Sequence, residues 1–81
     1  MKFFVYVLGS GEKDSRRSYV GWTVDLEQRL EKHNSGKGAR STRGRVWQLL
    51  YAECYGTRHE AMSREWRLKR DRAFRKHLTQ G

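Results

Sequence analysis

FFVYVLGSGEKDSRRSYVG, residues 3–21, decides how this chain folds. Phe3 to Leu8 is an unbroken run of aromatic, β-branched and aliphatic residues closed by Gly9, the composition of a buried strand. Ser18 to Gly21 supplies a partner across the polar loop GSGEKDSRR, so the chain opens with an antiparallel hairpin. The same apolar run is too short for a secretory signal and leads into GSGEKD without a small-residue cleavage pattern.

Outward from the hairpin, DLEQRLEKHNSG reads as a helix. Asp25 is placed to cap it, Gln28 occupies the capping-box position, and Asn34 to Gly36 ends it, with Leu26, Leu30 and His33 on its inward stripe. GKGARSTRGR, residues 36–45, is a basic loop, and VWQLLYAEC, Val46 to Cys54, is a third strand. Thr57 and Glu60 form a capping box for a long helix, and Asp71 caps a short last helix through Leu78. The expected order is ββαβα with a small helical tail: an α+β (α/β) module whose three-stranded antiparallel sheet is flanked by helices. The whole chain, residues 1–81, makes one domain.

A chain of 81 residues buries only about 60% of the surface its unfolded form exposes, so function must sit on the surface or in a shallow groove. Trp22, Trp47 and Trp66, with four Tyr and three Phe, supply enough aromatic bulk for a packed fold rather than disorder. The net charge of +9 is uneven: residues 1–36 hold six Lys or Arg against five acids, and residues 37–81 hold twelve against four. Such a field favours polyanions, nucleic acid first and an acidic membrane surface second. Residues 57–78 lack the wide Leu-, Phe- and Trp-rich face of a membrane-surface helix, so no membrane role is expected. The lone Cys54 excludes an intrachain disulfide and a thiolate zinc site, and fits a reducing cytoplasm.

Within the basic second half, EAMSREWRLKR holds one carboxylate that is out of place. On a helix Ala61, Glu65 and Leu68 stand at i, i+4 and i+7, which aligns Glu65 with apolar residues rather than with the exposed charges. Tyr6 lies in FVYVL, Tyr19 follows thirteen residues later in SYVG, and Arg29 ten residues after that in the first helix. This combination resembles the GIY-YIG nuclease family, and the short stand-alone bacterial members in particular. Phe4-Val5-Tyr6 and Tyr19-Val20-Gly21 stand at the two name-giving motifs, and the likeness runs through LEQRLEKHNSGKGARSTRG and EAMSREWRLKR. Phe4 replaces the first motif's Gly, and the Asn that several family enzymes carry after the Glu has no counterpart, Asn34 being the only Asn.

The resemblance implies a metal-dependent endonuclease that hydrolyses DNA phosphodiesters, with RNA not excluded as a target. In that scheme Tyr6 and Tyr19 handle the attacking water, Arg29 grips the scissile phosphate, and Glu65 binds Mg²⁺ or Mn²⁺. His33 joins the catalytic set, with a packing role equally open. Which tyrosine acts as base is left undecided. Lys37, Arg40, Arg43 and Arg45 of the basic loop, the hydroxyls of Ser41 and Thr42, and the series Arg64, Arg67, Lys69, Arg70, Arg72, Arg75 and Lys76 read as phosphate-contacting surface. No recognition helix or zinc finger accompanies them, so binding is expected to be independent of sequence, with cutting directed by DNA structure or damage. The rival expectation is a nucleic-acid-binding module of the same fold that cuts poorly, or only with a targeting partner protein.

Overall fold

The computed structural model describes residues 1–11 and 16–80; residues 12–15, the middle of the hairpin loop expected from the sequence, lie outside it. Strands β1 (Phe3–Ser10) and β2 (Arg17–Thr23) form the hairpin, followed by helix α1 (Leu26–Asn34), a 3₁₀ turn (Arg40–Thr42), strand β3 (Gln48–Tyr55), and helices α2 (Arg58–Arg70) and α3 (Arg72–Gln80). The sheet is antiparallel throughout, in the order β2-β1-β3, so the apolar N-terminal run is its central strand. That placement is why FFVYVL carries no alternation of apolar and polar residues: from Val5 to Leu8 the strand is covered on both faces.

The period of two along β1 divides the interior into two layers. Val5 and Val7 face α2 and α3, packing with Val20, Ala61 and Leu68 and with the half-buried Phe74 and Leu78. Tyr6 and Leu8 face the opposite way, toward Trp47, Tyr19, Leu26 and Leu30 of the α1 layer. A phenol thus occupies the centre of the sheet's α1 face.

The expected caps form. The Asp25 carboxylate accepts from the Gln28 N–H at 3.0 Å, Thr57 Oγ1 accepts from the Glu60 N–H at 3.2 Å, and the Asp71 carboxylate accepts from the Phe74 N–H at 3.1 Å. Two expectations need correction. β3 begins at Gln48 rather than Val46, because the Asn34 side chain draws the chain aside: Trp47 N–H donates to Asn34 Oδ1 at 2.6 Å, and Asn34 Nδ2 donates to the Trp47 carbonyl at 3.1 Å. The basic loop is also not fully open, since residues 40–42 wind into a 3₁₀ turn that buries Thr42.

Candidate active site

The hairpin register sets two phenols side by side. Tyr6 pairs with Gly21, and Tyr19 pairs with Leu8 two residues along, so both rings project from the same face with centroids 6.3 Å apart. Tyr6 needs Gly21 opposite it. A Cβ on Gly21 would stand 2.5 Å from the Tyr6 hydroxyl oxygen and 3.1 Å from Tyr19 Cε2, so the last residue of the YVG motif is the floor on which the first phenol rests.

α1 brings His33 to the pair. Its ring is 4.8 Å from that of Tyr19, and its Nε2 is 2.9 Å from the Tyr6 hydroxyl. On the far side His33 Nδ1 lies 2.9 Å from Thr42 Oγ1, and that hydroxyl donates to the Ala39 carbonyl at 2.7 Å. Bookkeeping of protons then assigns the chain. Thr42 has given its only proton to Ala39, so Nδ1 must be the donor to Thr42; Nε2 of the neutral imidazole is left as an acceptor, and Tyr6 donates to it. Gly38 makes room for this arrangement, because a Cβ there would fall 2.5 Å from His33 Nδ1.

The electrostatics agree with a neutral relay. Burial, aided by the charge of Arg29, lowers the His33 pKa, favouring the acceptor form. Burial also dominates at Tyr6, pushing its phenol up to about 12 against the opposing pull of Arg29. Burial thus outweighs the cation beside it. Arg29 itself is held more firmly protonated by Tyr6, with Tyr19 contributing, so its charge acts on both phenols. It also lines an open pocket of about 300 Å³ with Trp22, Thr23, Val24, Gln28 and Lys32.

Glu65 comes from α2, in the opposite layer. As its spacing predicts, it stands between the fully buried Ala61 and Leu68, with its side chain 21% exposed. Its Oε1 is 3.7 Å from Lys69 Nζ, a loose pairing one turn on. Its charge reaches Tyr6, where it works against ionisation. Among the described residues no three His, Cys, Asp or Glu side chains gather into a metal site; what Glu65 offers an ion is one hard carboxylate. That donor suits a Mg²⁺-like ion, which retains waters and completes its shell with substrate phosphate oxygens.

The cationic surface divides in two. Lys37, Arg40 and Arg43 are exposed and Arg45 half-exposed on the loop that packs against His33, and Lys69 and Arg70 are exposed on α2. Arg64 and Arg75 are committed within the fold. Arg64 makes a bidentate pair with Glu53 at 2.8 and 3.0 Å, and Arg75 donates to the Leu68 and Lys69 carbonyls and to Ser18 Oγ. Thr42, expected among the phosphate-facing hydroxyls, is fully buried. Its role, orienting His33, had no signal in the sequence beyond its place in a loop.

Residues 2–77 match the GIY-YIG catalytic domain. A UPF0213 protein of Haloquadratum walsbyi is 43% identical over 67 residues, covering 82% of this chain and 72% of the relative. A UPF0213 protein of Bacillus pumilus is 54% identical over 52 residues, covering 63% of this chain and 53% of the relative. The solution NMR structure of a UPF0213 protein from Bacillus halodurans superposes with a TM-score of 0.53 at 38% identity, covering 96% of this chain and 82% of that one.

Proposed function

The chain belongs to the GIY-YIG catalytic-domain family, and from that premise we propose that it is a divalent-metal-dependent endonuclease cutting DNA phosphodiesters at structured or damaged sites without regard to sequence. The observation that carries this reading is the chain Tyr6–His33–Thr42, a phenol whose proton already points at a neutral imidazole.

In this reading Tyr6, rather than Tyr19, receives the water's proton, a choice supported by its hydrogen bond to His33. As water attacks phosphorus, its proton passes to the Tyr6 oxygen while the phenolic proton passes to His33 Nε2. No free phenolate accumulates, so a phenol pushed up to about 12 is no obstacle at neutral pH. His33 ends as imidazolium, its Nδ1–H still held by Thr42. Arg29 opposes the negative charge that builds on the phosphoryl oxygens. The bond from phosphorus to the leaving sugar oxygen breaks, and that oxygen takes a proton from solvent. Glu65 is the residue that would hold Mg²⁺ or Mn²⁺, which when bound supplies positive charge at the leaving oxygen. We place it in a reducing cytoplasm, a reading supported by the exposed free thiol of Cys54.

The test is incubation of flap, branched and fully paired DNA, and of RNA, with Mg²⁺, with Mn²⁺ and with chelator, beside Glu65→Gln. Metal-dependent cutting that disappears in Glu65→Gln while binding persists supports the reading. The loose Lys69 pairing of Glu65 favours a second one, a nucleic-acid-binding module that requires a partner protein to cut. Absence of cutting on every substrate, with binding intact, would put that second reading first.

A further inference from the structure

α2 carries a stripe that the catalytic scheme does not use. Arg58, Met62, Trp66 and Arg70 follow at intervals of four and are all exposed, Met62 by 46% and Trp66 by 56%. A half-exposed indole on so cationic a helix adds little to the core. Its described ring partner is Arg70, whose guanidinium lies 3.7 Å over the ring centroid and donates to the Trp66 carbonyl at 3.3 Å. Trp66 directly follows Glu65, about 100° around the helix. At the other end of the stripe Arg58 sits 5.3 Å over Trp22, which lines the pocket beside Arg29 and Lys32. Aromatic and cationic groups thus alternate along a track that runs from the Arg29 pocket past Glu65.

Phosphates need only the cations of this track. Paired bases are already stacked on their neighbours and have no use for an indole; an unpaired base has an open π-face, and aromatic stacking between cations is how single strands are held. We propose that Trp66, extended by Met62, is a stacking platform for an unpaired base next to the scissile phosphate, with Arg67 and Arg70 on the flanking phosphates. The preferred substrate is then DNA with a single-stranded portion, such as a flap. This rests on the nucleic-acid reading above but not on cutting.

The test uses the intact protein in chelator, with oligo(dT), a flapped duplex and a fully paired duplex as probes, and with wild type, Trp66→Phe and Trp66→Ala compared by affinity, tryptophan quenching and thermal melting. Oligo(dT) and the flap should quench wild type. Trp66→Phe should keep affinity within about threefold and lose most of the quench; Trp66→Ala should lose roughly tenfold or more on oligo(dT) and the flap, and little on the paired duplex. Equal losses on paired and unpaired probes, or no quench assignable to Trp66, would overturn the proposal. Should Trp66→Ala not fold, the quench difference between wild type and Trp66→Phe decides alone. If the expected pattern appears but nothing is cut in Mg²⁺ or Mn²⁺, the nuclease reading fails and the platform stands.

Discussion

At the scale of single residues, the proposed activity depends on which atoms hold two protons. Thr42→Val removes the acceptor for His33 Nδ1–H while preserving shape, leaving a buried donor unsatisfied at a cost of about 1–3 kcal/mol. We expect a lower Tm and about a tenfold fall in kcat with KM little changed, and rescue by Thr42→Ser. Gly21→Ala acts from beneath: its Cβ would displace the Tyr6 hydroxyl, so kcat should fall about a hundredfold or more while circular dichroism shows the fold intact. The His33 pKa, lowered by burial and Arg29, fixes the sign of the pH dependence. The proposed relay needs neutral His33, so kcat should hold above pH 6.5 and decline only below it, as the imidazole takes a proton. The same shift acts on folding. Between the folded and unfolded pKa values the unfolded chain binds more protons, so His33 destabilises the fold as pH drops below about 6.5. A pH–rate profile and acid melting of wild type against His33→Gln check both.

At the scale of elements, α2 must be fixed on the sheet if Glu65 is to serve a site built on the other layer. Glu53 on β3 is its anchor, receiving Arg64 in two hydrogen bonds and the hydroxyls of Tyr51 and Tyr55. Burial alone would raise the Glu53 carboxyl, but these donors outweigh it and bring it down to about 2. A depressed carboxylate adds stability above its unfolded pKa, near 4.3, and that contribution fades as pH falls toward 2. Glu53→Gln should cost about 1–3 kcal/mol at pH 7 in urea unfolding, with the gap to wild type closing between pH 5 and 2. This anchor shows what the sequence could convey. Strands, helices and caps were legible because they rest on spacing within a few residues, and Glu65 was legible because Ala61 and Leu68 mark its side of the helix. Arg64, one position before Glu65, read as free surface because its partner lies eleven residues upstream on another element. Thr42 and the early part of the third strand were misread for the same reason: Thr42 is buried by a histidine nine residues away, and Asn34 pulls Trp47 out of the ladder.

At the scale of the molecule, size and charge limit how DNA can be held. The described residues extend 35 Å at their longest, about one turn of B-DNA, so their phosphate contacts fall within about a turn. The loop cations Arg40 and Arg43 lie on the His33 side, while Trp66 and Arg70 ride on α2. The two groups should therefore control different properties. Each phosphate contact contributes about 0.9 to the slope of log affinity against log salt. Arg40→Ala with Arg43→Ala should flatten that slope by about 2 on any DNA and leave the preference for a flap over paired duplex unchanged. On the proposed mechanism a single Tyr6–His33 relay would also cut one strand per engagement. Supercoiled plasmid should therefore pass through a nicked-circle intermediate, with linear product appearing only after a lag. If linear DNA instead appeared from the start, with a rate rising as the square of protein concentration, two copies would be acting together on opposite strands. The flattened salt slope would still follow, because electrostatic grip and strand number are set by separate parts of the surface.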